Sequence, residues 1–273
     1  MTTALRPLTV GELLDRTFFL YRGHFGLFVG IAALPNLLML ALNLTRTLAP
    51  EIPSVALRAL ASLTGLVALL FVNLFTISVS QGATVIAVSE LQLGRETSVQ
   101  EAFRAISDRI GAIAGVIVGM GLRILAGLLL FIVPGLVWMV KWSLTVPVAV
   151  IERTNLSDSL QRSARLTDGH RWRVLLIYLL LLLLIYIVTA LLETPTLLAI
   201  GAFGGSLTRV GFQVSVQVAL IVTGFVTASL LSPIMTIALS LVYYDERVRK
   251  EAFDLEHLMA QIDDVSASPS RAT

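Results

Sequence analysis

Ser98-Val-Gln-Glu101-Ala-Phe-Arg-Ala-Ile-Ser-Asp-Arg109-Ile-Gly111 runs directly into an apolar stretch over about 111–132. A serine followed three residues later by an acid is a capping box: each side chain satisfies a backbone N–H that the first helical turn leaves without a partner. Val99, Ala102, Phe103, Ile106 and Ile110 then recur at helical spacing, with Glu101, Arg104 and Asp108 on the other side. The stretch reads as a short amphipathic helix that delivers the chain into a membrane. The unit recurs at Thr9-Val-Gly-Glu12 and at Asn155-Leu-Ser-Asp158. Each cap is followed by a glycine, Gly23, Gly111 or Gly169, placed where a left-handed residue would turn the chain out of the helix. The first copy has an apolar stripe of Val10, Leu13, Leu14, Phe18 and Tyr21. In the third, Leu156 and Leu160 carry the stripe and Ser159 and Ser163 dilute it.

Composition sets the class. Of 273 residues, 56% are hydrophobic and only 14% charged, against about 25% charged in an average soluble domain. Apolar runs near the roughly 20 residues needed to span a bilayer occur at about 24–45, 59–90, 111–132, 136–151, 172–193 and 210–243. The expectation is an all-α membrane protein with six transmembrane helices and three short amphipathic interface helices. It forms one domain over 1–264, built of hairpin units at about 9–93, 98–153 and 155–250, with a disordered tail at 265–273. No cleavable signal peptide is expected ahead of His24. The chain has no cysteine, which excludes disulfides and thiolate chemistry.

Positive charge orients the spans. Arg6, Arg16 and Arg22 precede the first; Arg95, Arg104 and Arg109 lie between the second and third. Arg153, Arg162, Arg165, Arg171 and Arg173 lie between the fourth and fifth, and Arg247, Arg249, Lys250 and Arg271 follow the sixth. With six spans, all of these fall on one side, and the opposite loops hold only Arg46, Arg58 and Arg209. The positive-inside rule puts that side, and both termini, in the cytoplasm. The second and sixth spans exceed the hydrocarbon thickness, so they tilt or project, with Gly82 and Pro233 as candidate kinks. Val133-Pro134-Gly135 is expected to form the turn between the third and fourth spans. The fourth is short, which leaves open whether the 111–151 hairpin fully crosses.

Few residues suggest chemistry. Arg123 lies near the middle of the third span, where an ionisable group is costly and faces protein, partner or water. With Lys141 and Trp142 it forms a candidate site for an anion or a lipid phosphate; the plainer alternative is an arginine bonded to helix carbonyls and a lysine that snorkels outward. Gln213 and Gln217, one turn apart, and Asn73 are candidates for a polar path or for hydrogen bonds between helices. Arg162, Arg171, Trp172 and Arg173 are candidate contacts to the anionic inner leaflet. Glu152 is expected to form an ion pair with Arg153 or Arg162. His24 and His170 occupy matching places, and no carboxylate cluster accompanies them, so neither a metal nor a cofactor is expected. The amphipathic helices have two open readings, in the interface plane or packed on the ends of the spans.

Val133-Pro-Gly-Leu-Val-Trp138 with Trp142, Val146-Pro147, Glu152, Ser159-Leu-Gln-Arg162-Ser163, Leu166 and Gly169 resembles the membrane domain associated with glycerophosphoryl diester phosphodiesterases. Leu8-Thr-Val-Gly-Glu-Leu-Leu-Asp-Arg16, Tyr243-Tyr-Asp-Glu-Arg-Val-Arg-Lys250 and Phe253-Asp254-Leu255 fit it too. The resemblance implies a six-helix protein of a bacterial cytoplasmic membrane. It implies no catalysis, because in that family the activity belongs to a separate barrel domain of about 250 residues. The expected function is a non-catalytic membrane module that organises phospholipids, a protein partner or further copies of itself, with no nucleic-acid partner. The alternative is a small transporter or lipid translocator with an anionic-ligand site near Arg123 and Lys141.

Overall fold

The computed structural model describes residues 8–49, 54–203 and 209–267. Among them the ordered elements are all helices: α1 (Val10–Gly23), α2 (Phe25–Leu48), α3 (Val55–Gln92), α4 (Val99–Ile106), α5 (Ile110–Leu130), α6 (Ile132–Lys141), α7 (Thr145–Ile151), α8 (Leu156–Thr167), α9 (Arg171–Phe203) and α10 (Arg209–Ala267). Six helices are long and apolar enough to cross a membrane: α2, α3, α5, the α6–α7 pair, α9 and α10 over Gly211–Glu251.

The three repeated caps are present. Thr9 and Glu12, and Ser98 and Glu101, close full capping boxes on α1 and α4. Asn155 Oδ1 accepts the Asp158 N–H at 3.0 Å at the start of α8. The glycines do not share one role. Gly169 takes a left-handed φ of +80°, as a C′ turn requires. Gly23 is the last residue of α1, and Gly111 lies inside α5. At those two places the chain turns instead through His24, with φ −127°, and through Ser107–Arg109.

The hairpin after α5 turns at Phe131, which is extended (φ −158°, ψ 142°), and Pro134 sits inside the first turn of α6. This corrects the expected Val133-Pro134-Gly135 turn. A proline fits there because first-turn N–H groups have no helical acceptor. Two glycines let the arms of the hairpin close. A Cβ on Gly127 would lie 2.6 Å from the Trp138 ring, and one on Gly135 would run into Leu128. Gly82, read as a kink, lies within the continuous helix α3, where a Cβ would meet Ile113 at 2.9 Å. Pro35, Pro195 and Pro233 also lie inside helices. The tail read as disordered from 265 is helical to Ala267, and 268–273 lie outside the described residues.

The fourth crossing is broken over Trp142–Leu144. The helix α8 repairs the break. The Leu144 N–H donates to Ser163 Oγ at 3.2 Å, and Ser163 Oγ donates to the Lys141 carbonyl at 3.0 Å. Thr167 Oγ1 adds a second bond to that carbonyl at 3.3 Å. Ser159, Leu160, Ser163, Leu166 and Thr167 form the buried face of α8. The serines that weaken the apolar stripe are thus the working face of this helix, because an unpaired backbone group away from water costs several kcal/mol.

Candidate functional site

The two links that carry α4 and α8, the helix α1 that precedes the first crossing, and the C-terminal part of α10 meet at one end of the bundle. There α10 presents Asp245 and Glu246, adjacent acids that are both buried. Arg173, in the first turn of α9, reaches both: Nη2 lies 2.7 Å from Asp245 Oδ2 and Nη1 lies 2.5 Å from Glu246 Oε1. Arg249, one turn along α10, adds an Nε contact to Asp245 Oδ2 at 2.9 Å. Asp245 Oδ1 accepts the Leu8 N–H at 2.7 Å, and the Leu8 carbonyl accepts from Arg173 and Arg249 at 2.8 and 2.6 Å. Leu8, just ahead of the Thr9 cap of α1, is therefore held on both of its backbone polar groups. His170 Nδ1 lies 3.0 Å from Glu246 Oε2, although the two are not aligned as a hydrogen bond.

A second cluster adjoins the first. Glu152, the C-cap of α7, accepts Arg162 Nε at 3.0 Å and the Tyr243 hydroxyl at 2.9 Å. Arg162 also pairs with Glu251, which holds Arg247 Nε at 2.6 Å. Burial works against the Arg162 charge, but Glu251 and Glu152 outweigh it and raise its pKa above the ordinary arginine value. Tyr21 ties α1 to α10 by donating to the Leu230 carbonyl at 2.7 Å, and burial pushes its pKa up to about 12. Arg16 reaches Gln92 at 2.7 Å, and Tyr244 reaches Ser89 at 2.8 Å. The charges of this clamp are almost wholly spent on one another.

Two cavities open deeper in the bundle. One, of about 320 Å³, lies among α3, α5, α6, α7, α9 and α10 and is lined by Met120, Met139, Met235, Trp142 and Tyr178 with Ser143 and Thr236. The other, of about 280 Å³, lies among α2, α3 and α10 beside Asn36, Asn73, Thr76 and Ser80. Gln81 and Ser232 line both. No charged residue lines either.

The candidates read from the sequence separate in space. Arg123 is exposed on α5 and bonds its own helix, Nη1 to the Gly119 carbonyl at 2.8 Å. Lys141 is half-buried; its carbonyl is the acceptor at the α6–α7 break. Trp142 lies against Trp138, with tilted rings whose centroids are 5.4 Å apart, and lines the larger cavity, which Arg123 does not. Asn73 lines the smaller cavity, whereas Gln213 and Gln217 are exposed on the first half of α10. Of the four candidate leaflet contacts, Arg162 and Arg173 point into the clamp. Arg171 pairs with Asp168 at 2.9 Å, and Trp172 is 83% exposed. Glu152 takes Arg162 as its partner, as expected.

Sequence reasoning missed Asp245 and Glu246 as the hub of the clamp, and Ser232, Ser143 and Tyr178 as cavity residues. The i, i+4 spacing of Asp245 and Arg249 was a usable signal for the first. Isolated polar residues at mid-span were the signal for the second, and hydropathy averaging hides them.

Residues 113–268, more than half of the chain, match the family described as the membrane domain of glycerophosphoryl diester phosphodiesterase. No curated protein and no solved structure matches the chain. The chain belongs to that membrane-domain family.

Proposed function

We propose that this member of the family is a non-catalytic module of a bacterial cytoplasmic membrane that organises lipids or partner proteins, with both termini in the cytoplasm. One observation carries the reading: among the described residues, charged groups neutralise each other in the clamp, while the two large cavities of the bundle are lined by neutral side chains. Acid–base or nucleophilic chemistry needs a group poised against a substrate, and the clamp acids are occupied by arginines. Binding needs only shape and a few polar groups.

Orientation follows from charge. The clamp end carries most of the arginines, and the positive-inside rule places such an end in the cytoplasm. At that end Phe19 is 80% exposed and Trp172 83% exposed. In this reading α1, α4 and α8 cover the inner ends of the crossings, and Phe19, Trp172 and Arg171 meet the leaflet surface. The transporter alternative, an anion site at Arg123 and Lys141, has less support, because Arg123 lines neither cavity.

Native mass spectrometry of the purified chain tests the module reading, which predicts co-purifying phospholipid or a protein partner. Reconstituted vesicles that move lipid or an anionic solute, and stop doing so in Arg123→Leu, would overturn it. The absence of native cysteine allows a direct topology test. Single cysteines at Glu96 and Gln161 should react with a membrane-impermeant maleimide only after cells are permeabilised, whereas one at Ser54, in the loop between the first and second crossings, should react in intact cells.

A further inference from the structure

We propose that the two cavities form one binding site for a neutral amphiphile, in which Gln81 and Ser232 hold its uncharged polar group and the methionine-lined cavity holds its alkyl chain. The inference deepens the module reading and rests on it. Its first ground is continuity: Gln81 and Ser232 line both spaces. Joined, the spaces fall within the roughly 300–1,000 Å³ of small-molecule sites.

The second ground is unmet hydrogen bonding. Gln81 is about 11 residues from the end of α3 at Gln92, roughly 16 Å along the helix. Ser232 lies near the middle of the Gly211–Glu251 crossing. Among the described residues, neither side chain makes a hydrogen bond, and neither does the hydroxyl of Tyr178, which also lines the larger cavity. Polar groups at such depth are costly unless something satisfies them. An amide supplies both donors and an acceptor. Its complement is a hydroxyl, ester or amide rather than an anion, since no cation lines the space.

The third ground is the wall chemistry. Met120, Met139 and Met235 with Trp142 make a pliable apolar surface suited to a flexible alkyl chain. Ser232 is exposed, so the site has a mouth on the outer face of the bundle, through which a lipid-borne ligand can enter.

The test uses the full chain in phosphatidylcholine nanodiscs with a diazirine-tagged monooleoylglycerol as probe. The expected result is cross-linking to peptides containing Met120, Met139 or Met235, competed by unlabelled monooleoylglycerol and not by oleoyl phosphate. Gln81→Leu and Ser232→Ala should each weaken competition about three- to tenfold, the loss expected of one hydrogen bond. Met235→Trp, which fills the apolar end, should abolish this labelling; unfolding profiles of all three variants establish that they fold. Labelling confined to outward helix faces, equal competition by oleoyl phosphate, or folded variants that label like the parent would overturn the assignment. If phospholipid co-purifies but the probe stays outside, the cavity assignment fails and the module reading stands. If neither binds, both fail.

Discussion

Along α3, Ser78, Val79, Ser80, Gly82, Ala83, Thr84, Val85, Ala87 and Val88 are buried, while from Val55 to Phe75 no position is. The same change occurs in its neighbours. α2 has no buried residue after Pro35, α9 none after Leu181 among its described side chains, and α10 none from Gly211 to Val226. The clamp half of the bundle is thus packed as protein interior, and the far half turns leucines to its surroundings. Isolated contacts bridge the far half: Arg46 lies over Gly65, and Thr196 meets Thr223 at 3.1 Å. In α3 the most apolar stretch has no buried residue, so hydrophobicity is not what packs the clamp half. What distinguishes the two halves is small residues and paired charges, which let helices approach in the clamp half. In lipid, association is driven by close packing and hydrogen bonds rather than by apolar burial. The cavities open at the level where the two regimes meet.

The contrast can be broken most easily at the clamp. Arg173→Leu leaves Asp245 and Glu246 buried without their main partner and should cost about 3–5 kcal/mol, read as a fall in the detergent unfolding midpoint. Ser163→Ala strips the Leu144 N–H and reduces the bonding of the Lys141 carbonyl; a loss of about 1–3 kcal/mol is expected in the same assay. Gly127→Ala drives a methyl into Trp138 and should cost about 1 kcal/mol, the lower end of overpacking, because the hairpin can open toward its exposed face. Leu70→Ala, in the far half of α3, should change stability by less than about 0.5 kcal/mol. A loss at Leu70 as large as that at Ser163 would mean that the far half is packed after all.

The six crossings and the capped helices were legible in the sequence because apolar length and capping residues are local signals. Asn155, Ser98 and Thr9 each cap the helix they were expected to cap. The turn at Phe131 was not legible, since Pro134 satisfies both a turn and a first helical turn, and only packing of Gly127 against Trp138 decides between them. Arg173 looked like a leaflet contact because its partners stand more than 70 positions away on another helix. That Gln81 and Ser232 line the same cavities carries no local signal, because it depends on how α3 meets α10. Local patterns therefore gave the elements, and the clamp and the cavities arose from juxtaposition.

The central claim is that the helices are fixed to one another at the clamp and not in the far half. Pulsed electron resonance on spin-labelled pairs in nanodiscs tests it directly, on a background free of native cysteine. A pair at Glu96 and Gln161 should give one narrow distance distribution, and a pair at Leu57 and Leu198 a broad one. Arg173→Leu should broaden the first pair. Two equally narrow distributions, or a clamp pair unmoved by Arg173→Leu, would contradict the account.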